Sequence, residues 1–163
     1  MDAPFHATFI HVPIGLALIL PLVAGAVAYA YWRGEVRERG WALAVALQGL
    51  LVLSVLASIH SGAGDAGRVA DIVPARFVAA HRLSGQLFLY GAAATLLVMA
   101  SALVLRQPAL RKAMVVLSLA GTAAVSGLAV RSGRIGAELV YAYGGAQAFQ
   151  APPAISTSAP SAP

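Results

Sequence analysis

Four long apolar segments, at 9–31, 41–60, 77–105 and 113–130, alternate with short polar ones along the chain. Each is far longer than a strand needs. A segment in lipid must also satisfy its own backbone polar groups, so each predicts a membrane-spanning α-helix. The third is uninterrupted in its apolar part only after Gln86. Pro13 falls in the first turn of the first helix, where a missing N–H costs little, and Pro21 falls mid-span and predicts a kink. The links between helices 1 and 2 and between helices 3 and 4 hold under a dozen residues each, which makes both pairs antiparallel neighbours. The outer link, Ser61 to Arg76, is longer and Gly-rich, and Asp65 in it reads as a turn or capping residue.

The expected fold is an all-α membrane protein, a four-helix up-down transmembrane bundle over 1–147. Its last part, 131–147, is a Gly-rich segment on the outer face, and 148–163 is a disordered Ala/Pro/Ser-rich tail. Ala28-Tyr29-Ala30 looks like a signal-peptide cleavage site. Asp2 without any Lys or Arg precedes it, however, and the apolar run is too long for a signal core, so the first segment reads as a retained helix. Small residues recur in the spans, as in Ala24-Gly25-Ala26, Gly91 to Ala94 and Gly121 to Ala124, and allow close helix approach.

Composition sharpens this picture. Of 163 residues 60% are hydrophobic and 10% charged, and the mean hydropathy is +0.80. That excludes a soluble enzyme and a disordered chain. The absence of Cys excludes disulfides, thiolate metal sites, iron–sulfur clusters and covalently attached haem. The net charge of +5 divides between the two faces. One face carries Arg33, Arg37, Arg39, Arg106, Arg111 and Lys112 against Glu35 and Glu38. The other carries Arg68, Arg76, Arg82, Arg131 and Arg134 against Asp2, Asp65, Asp71 and Glu138. The first set is packed into two short loops, so those loops are expected in the cytoplasm and both termini on the outer, periplasmic side of a bacterial inner (plasma) membrane. The charge is then an orientation signal and implies no nucleic-acid partner. Trp32 and Trp41 flank the first cytoplasmic loop as expected interface anchors, and Glu138 is expected to pair with an outer-face arginine.

The threaded topology brings His6, His11, His60 and His81 to the outer end of the bundle. With no Cys and few carboxylates, they are the strongest metal ligands present. Haem b needs two axial ligands from facing helices, and His11 and His81 are the best-placed pair. Gly15 and Gly85 each follow one of them by four residues, on the same helix face, and leave room for a flat macrocycle. Arg76, Arg82 and Arg131 lie at the level to pair with haem propionates. The same histidines suit a non-haem copper, zinc or iron site built from His6, His11 and His81 with or without His60. They also suit plain hydrogen bonding near the membrane surface, and His60 reads as a helix-end side chain beside the C-terminal dipole. Gln48 and Gln86 lie inside spans, where either can bond across helices or Gln86 can face a cofactor. Ser54, Ser58, Ser118 and Ser126 can bond backward to carbonyls of their own helices.

Four pieces together carry a resemblance. They are His6-Ala-Thr-Phe-Ile-His11-Val-Pro13-Ile-Gly15, Ser61-Gly-Ala-Gly-Asp65, His81, and Gly133-Arg-Ile-Gly136-Ala-Glu-Leu139-Val140-Tyr141-Ala-Tyr143-Gly144. The chain resembles, over about residues 6 to 147, the bacterial four-span membrane family called domain of unknown function 2231, a cytochrome b-like bundle. It departs from the family pattern at Ala7, Val12 and Ala137, and none of these departures removes a histidine. The resemblance marks His6, His11, Asp65, His81, Gly136 and Tyr141, and implies a haem or metal site near the outer face. The expected role is haem b-dependent electron transfer with a periplasmic carrier or a quinol. The alternatives are a non-haem metal-binding protein and a non-catalytic accessory subunit that packs into a larger membrane complex or a homodimer. No catalytic residue is assigned, and an electron-transfer or accessory role is expected before that of a stand-alone enzyme.

Overall fold

A computed structural model describes His6, residues 9–35 and residues 39–149. The expected disordered tail lies almost wholly outside the described residues, as do Asp2, Arg37 and Glu38 from the charge count. The chain forms four helices, α1 (His11–Trp32), α2 (Arg39–Val69), α3 (Ala75–Val104) and α4 (Pro108–Tyr141), followed by a short 3-10 helix, Gly145–Phe149. Each of the four is long and apolar enough to cross a membrane. Together they form a four-helix bundle in which α1 packs on α2 and α4, and α3 packs on α2 and α4, while the backbones of α1 and α3 do not approach closely among the described residues.

Local chemistry explains the ends. Gly34 stops α1 in a left-handed conformation, with φ of 74°, where a side chain would be strained. The Glu35 N–H bonds to the Ala30 carbonyl and the Gly34 N–H to the Tyr31 carbonyl, the paired bonds of a Schellman stop. Pro74 precedes α3 in an extended conformation, and Pro108 opens α4 where its missing N–H is of no consequence.

Two helices overrun their apolar segments. α2 continues nine residues past His60 to Val69, and α4 continues eleven past Val130 to Tyr141. The expected outer loop from Ser61 is therefore mostly helix, Asp65 lies inside α2 rather than in a turn, and His60 is not a helix end. Hydropathy reports where lipid ends, whereas a helix continues until its backbone bonds are interrupted, and nothing interrupts α2 before the turn ahead of Pro74. At about 1.5 Å per residue, α4 is about 50 Å long against a hydrocarbon core of about 30 Å.

Buried positions recur every three or four residues: Pro13, Ala17, Leu20, Ala24 and Ala28 on α1, and Val115, Ser118, Thr122, Val125 and Ala129 on α4. Most are small, which brings the helices close. Large apolar side chains point outward instead, with Leu22 74% exposed and Leu97 72%. That distribution suits lipid and would be costly in water.

Trp41, expected at the membrane interface, is buried at 5% exposure, and its indole N–H donates to the Met99 carbonyl at 3.0 Å. An indole satisfied by a neighbouring helix can enter the core. Gln48 bonds across helices, Nε2 to the Ala92 carbonyl at 2.9 Å. Ser54, Ser58 and Ser118 bond back to the carbonyls of Leu51, Ser54 and Met114.

Candidate functional site

Three helix ends and the residues before α1 meet where the histidines lie. His6 precedes α1, Ser61 and Gly62 sit in the overrun of α2, His81 is in the second turn of α3, and Gly136 is in the overrun of α4. The Nδ1 of His6 lies 3.1 Å from the Ser61 hydroxyl. The rings of His6 and His81 stand 6.2 Å apart between centroids, at an interplanar angle of 78°. The hydroxyl of Ser61 also reaches the Ser58 carbonyl at 3.0 Å, which holds it in place for His6.

Two glycines cradle the rings. A Cβ at Gly62 would stand 3.0 Å from Cε1 of His6, and one at Gly136 would stand 3.0 Å from Cε1 of His81. The Nδ1 of His81 is buried without a hydrogen-bond partner among the described residues. An imidazole nitrogen in that state either forfeits a hydrogen bond or awaits a ligand.

The histidine that meets His81 is thus His6, whereas the sequence pointed to His11. The His11 side chain is exposed, and so is that of His60. The glycines differ as well. A Cβ at Gly15 would meet nothing within 4 Å, and one at Gly85 would meet only Ile59, at 3.8 Å. A spacing of four puts a glycine under a histidine of its own helix, but the crowding falls on the facing helix, where Gly62 and Gly136 lie. Among the described residues no three of His, Asp and Glu gather closely enough to hold a metal ion, so the expected cluster of three or four histidines does not form there.

Arg76, Arg82 and Arg131 are all exposed. The Arg76 guanidinium lies 4.7 Å from the centre of the Phe77 ring. Among the described residues the one ion pair is Arg33–Glu35 at 3.1 Å, so Glu138 makes no ion pair with an outer-face arginine there. The segment after α4 folds over the same end. Phe77 stacks on Tyr143 at 4.0 Å, Arg68 reaches over Phe149, and Val73 is buried beside Gly145.

In sequence, Ser61 and Gly62 read only as parts of a loop motif. The available signal was their position three and four residues after Ser58, on the same helix face, on a stretch with no Pro before Pro74. Gly136 was marked only through the family resemblance. No family model matches the chain, and no curated protein and no solved structure is found similar to it.

Proposed function

We propose that this is a multi-pass protein of a bacterial inner membrane that binds haem b through His6 and His81 and serves in electron transfer. The carrying observation is that two imidazoles, and no third ligand among the described residues, come together. Haem iron asks the protein for two axial ligands only, because the porphyrin supplies the rest. A zinc ion takes three or four from the protein. The residues present also fit in detail. Ser61 engages Nδ1 of His6, which leaves Nε2 for the metal, as outer partners of ligating histidines do. The Nδ1 of His81, which has no partner among the described residues, and the two cradling glycines mark a place where ligand rings can be held. Haem bound there would supply reversible one-electron exchange, near enough to one membrane surface for a periplasmic carrier or a quinol to reach it. Exposed Arg76, Arg82 and Arg131 are candidates for the propionates.

In this reading the bundle runs up and down with both termini in the periplasm. The support is the basic loops at Arg33 and at Arg106 to Lys112 on the opposite end. Because the chain has no Cys, single cysteines placed at Gly34 and at Gly67 can be labelled with an impermeant thiol reagent in intact cells. Labelling at Gly67 and not at Gly34 is the expected pattern, and the reverse overturns the orientation.

The test of function is an absorption spectrum of the detergent-purified protein, oxidised and reduced, after haem supplementation. A Soret band is expected that is lost in His6→Ala and His81→Ala and kept in His11→Ala and His60→Ala. No band in the wild type overturns haem binding. Stoichiometric copper, zinc or iron without porphyrin would assign the pair to a non-haem metal. A fixed partner in mild detergent, with neither group bound, would make the chain an accessory subunit.

A further inference from the structure

The bundle core is divided into two apolar clusters with a polar layer between them. One cluster, on the histidine side, contains Leu20, Leu51, Val55, Phe88 and Val125. The other contains Ala24, Trp41, Ala44, Met99 and Val115. Between them in chain position lie Gln48 on α2, Thr95 on α3, and Ser118 and Thr122 on α4, all buried. Contacts tie the layer together. Gln48 reaches the Ala92 carbonyl, one turn before Thr95, and Thr95 lies against Gly121, between Ser118 and Thr122.

The layer is short of hydrogen-bond donors. The Gln48 amide donates through Nε2, but its Oε1 is fully buried and has no partner among the described residues. Ser118 and Thr122 spend their hydroxyl protons on the carbonyls of Met114 and Leu119, at 2.7 and 2.9 Å. What they have left is lone pairs. A side-chain amide oxygen and hydroxyl oxygens that can only accept call for a species that donates. A cation would bring a charge into an apolar bundle at a level where the sequence places no carboxylate. A water molecule brings two donors and no charge.

We propose that the polar layer is a binding site for one ordered water, which donates to Oε1 of Gln48 and to a hydroxyl oxygen of the layer. This site is independent of the histidine pair. It makes Gln48 a satisfied residue, as buried polar groups in proteins are.

The test is nuclear magnetic resonance on the full chain in nanodiscs, with ¹⁵N in the glutamine side chains. Gln48→Glu identifies the Gln48 amide signal, and Gln107, exposed between α3 and α4, serves as the internal reference. The expected result is a cross-peak from water to the Gln48 amide protons with the sign of a long-lived bound molecule, absent at Gln107. In Thr95→Val, which alters one wall of the layer while keeping its volume, that cross-peak should fall at least twofold. Slowly exchanging Gln48 protons with no water cross-peak would show a dry layer and overturn the proposal. A cross-peak with the fast-exchange sign of Gln107 would overturn it too, because Gln48 would then be open to solvent.

Discussion

The hydroxyl of Ser126 donates to the carbonyl of Ala17 at 2.6 Å. That carbonyl stands four residues before Pro21, the proline inside α1, which has no N–H to give it. A serine on α4 thus repairs the gap that a proline opens in α1. The same hydroxyl lies 3.0 Å from the Thr122 carbonyl of its own helix, so it has two acceptors to choose between.

Removing that repair should be measurable. Ser126→Ala leaves the Ala17 carbonyl bare in an apolar bundle and should cost about 0.5–2 kcal/mol, the span seen for such bonds between membrane helices. In a Pro21→Ala background the restored N–H can serve Ala17, so the same substitution should cost less. A double-mutant cycle by unfolding in mixed micelles checks this, and equal costs in both backgrounds would refute the coupling.

Gly136→Ala should disturb His81. The added methyl would stand 3.0 Å from Cε1 of the ring, so the ring must shift. Changed ring resonances of His81 are expected and, under the proposed haem reading, at least a twofold fall in the haem that the purified protein takes up. Gly64→Ala is the control, because a Cβ there meets nothing within 4 Å, and it should leave both readings unchanged.

Gly121→Ala should be costly for a different reason. Its Cβ would stand 2.9 Å from Oγ1 and 3.0 Å from Cγ2 of Thr95, a stiff β-branched side chain between two helices. A loss of about 1–3 kcal/mol is expected. Adding Thr95→Ala removes the obstruction and should recover most of it. Gly91→Ala should cost less, because the atom it meets, at 2.7 Å, is the end of the flexible Leu128 side chain.

Trp41→Phe deletes the indole bond to the Met99 carbonyl and should destabilise the bundle by about 1 kcal/mol. Trp32 is 47% exposed and Trp41 only 5%. The fluorescence that remains in the variant should therefore be quenched by a water-soluble quencher far more readily than that of the wild type. Equal quenching would show that Trp41 is not in the core.

The histidine end was legible only in part. The concentration of His6, His11, His60 and His81 at one end follows from threading alone, and so does the naming of His81. Which partner His81 meets does not follow, because His6 and His11 are separated by little more than one helical turn and both precede or open α1. Ser61 and Gly62 were hidden by a hydropathy boundary that is not a helix boundary. Trp41 was misplaced because a tryptophan beside a charged loop looks the same in sequence whether it faces lipid headgroups or a neighbouring helix.

The sequence by itself determined the four spans, since lipid forces long apolar segments to close their own backbone bonds, and it determined which residue types could hold a cofactor, since the chain has no Cys. Tertiary structure alone decided which side chains face one another: His6 with His81, Gly136 with His81, Ser126 with Ala17, Thr95 with Gly121. Those pairings depend on the rotation and sliding of whole helices against their neighbours. A periodic sequence of small and apolar residues leaves that freedom open until the helices pack.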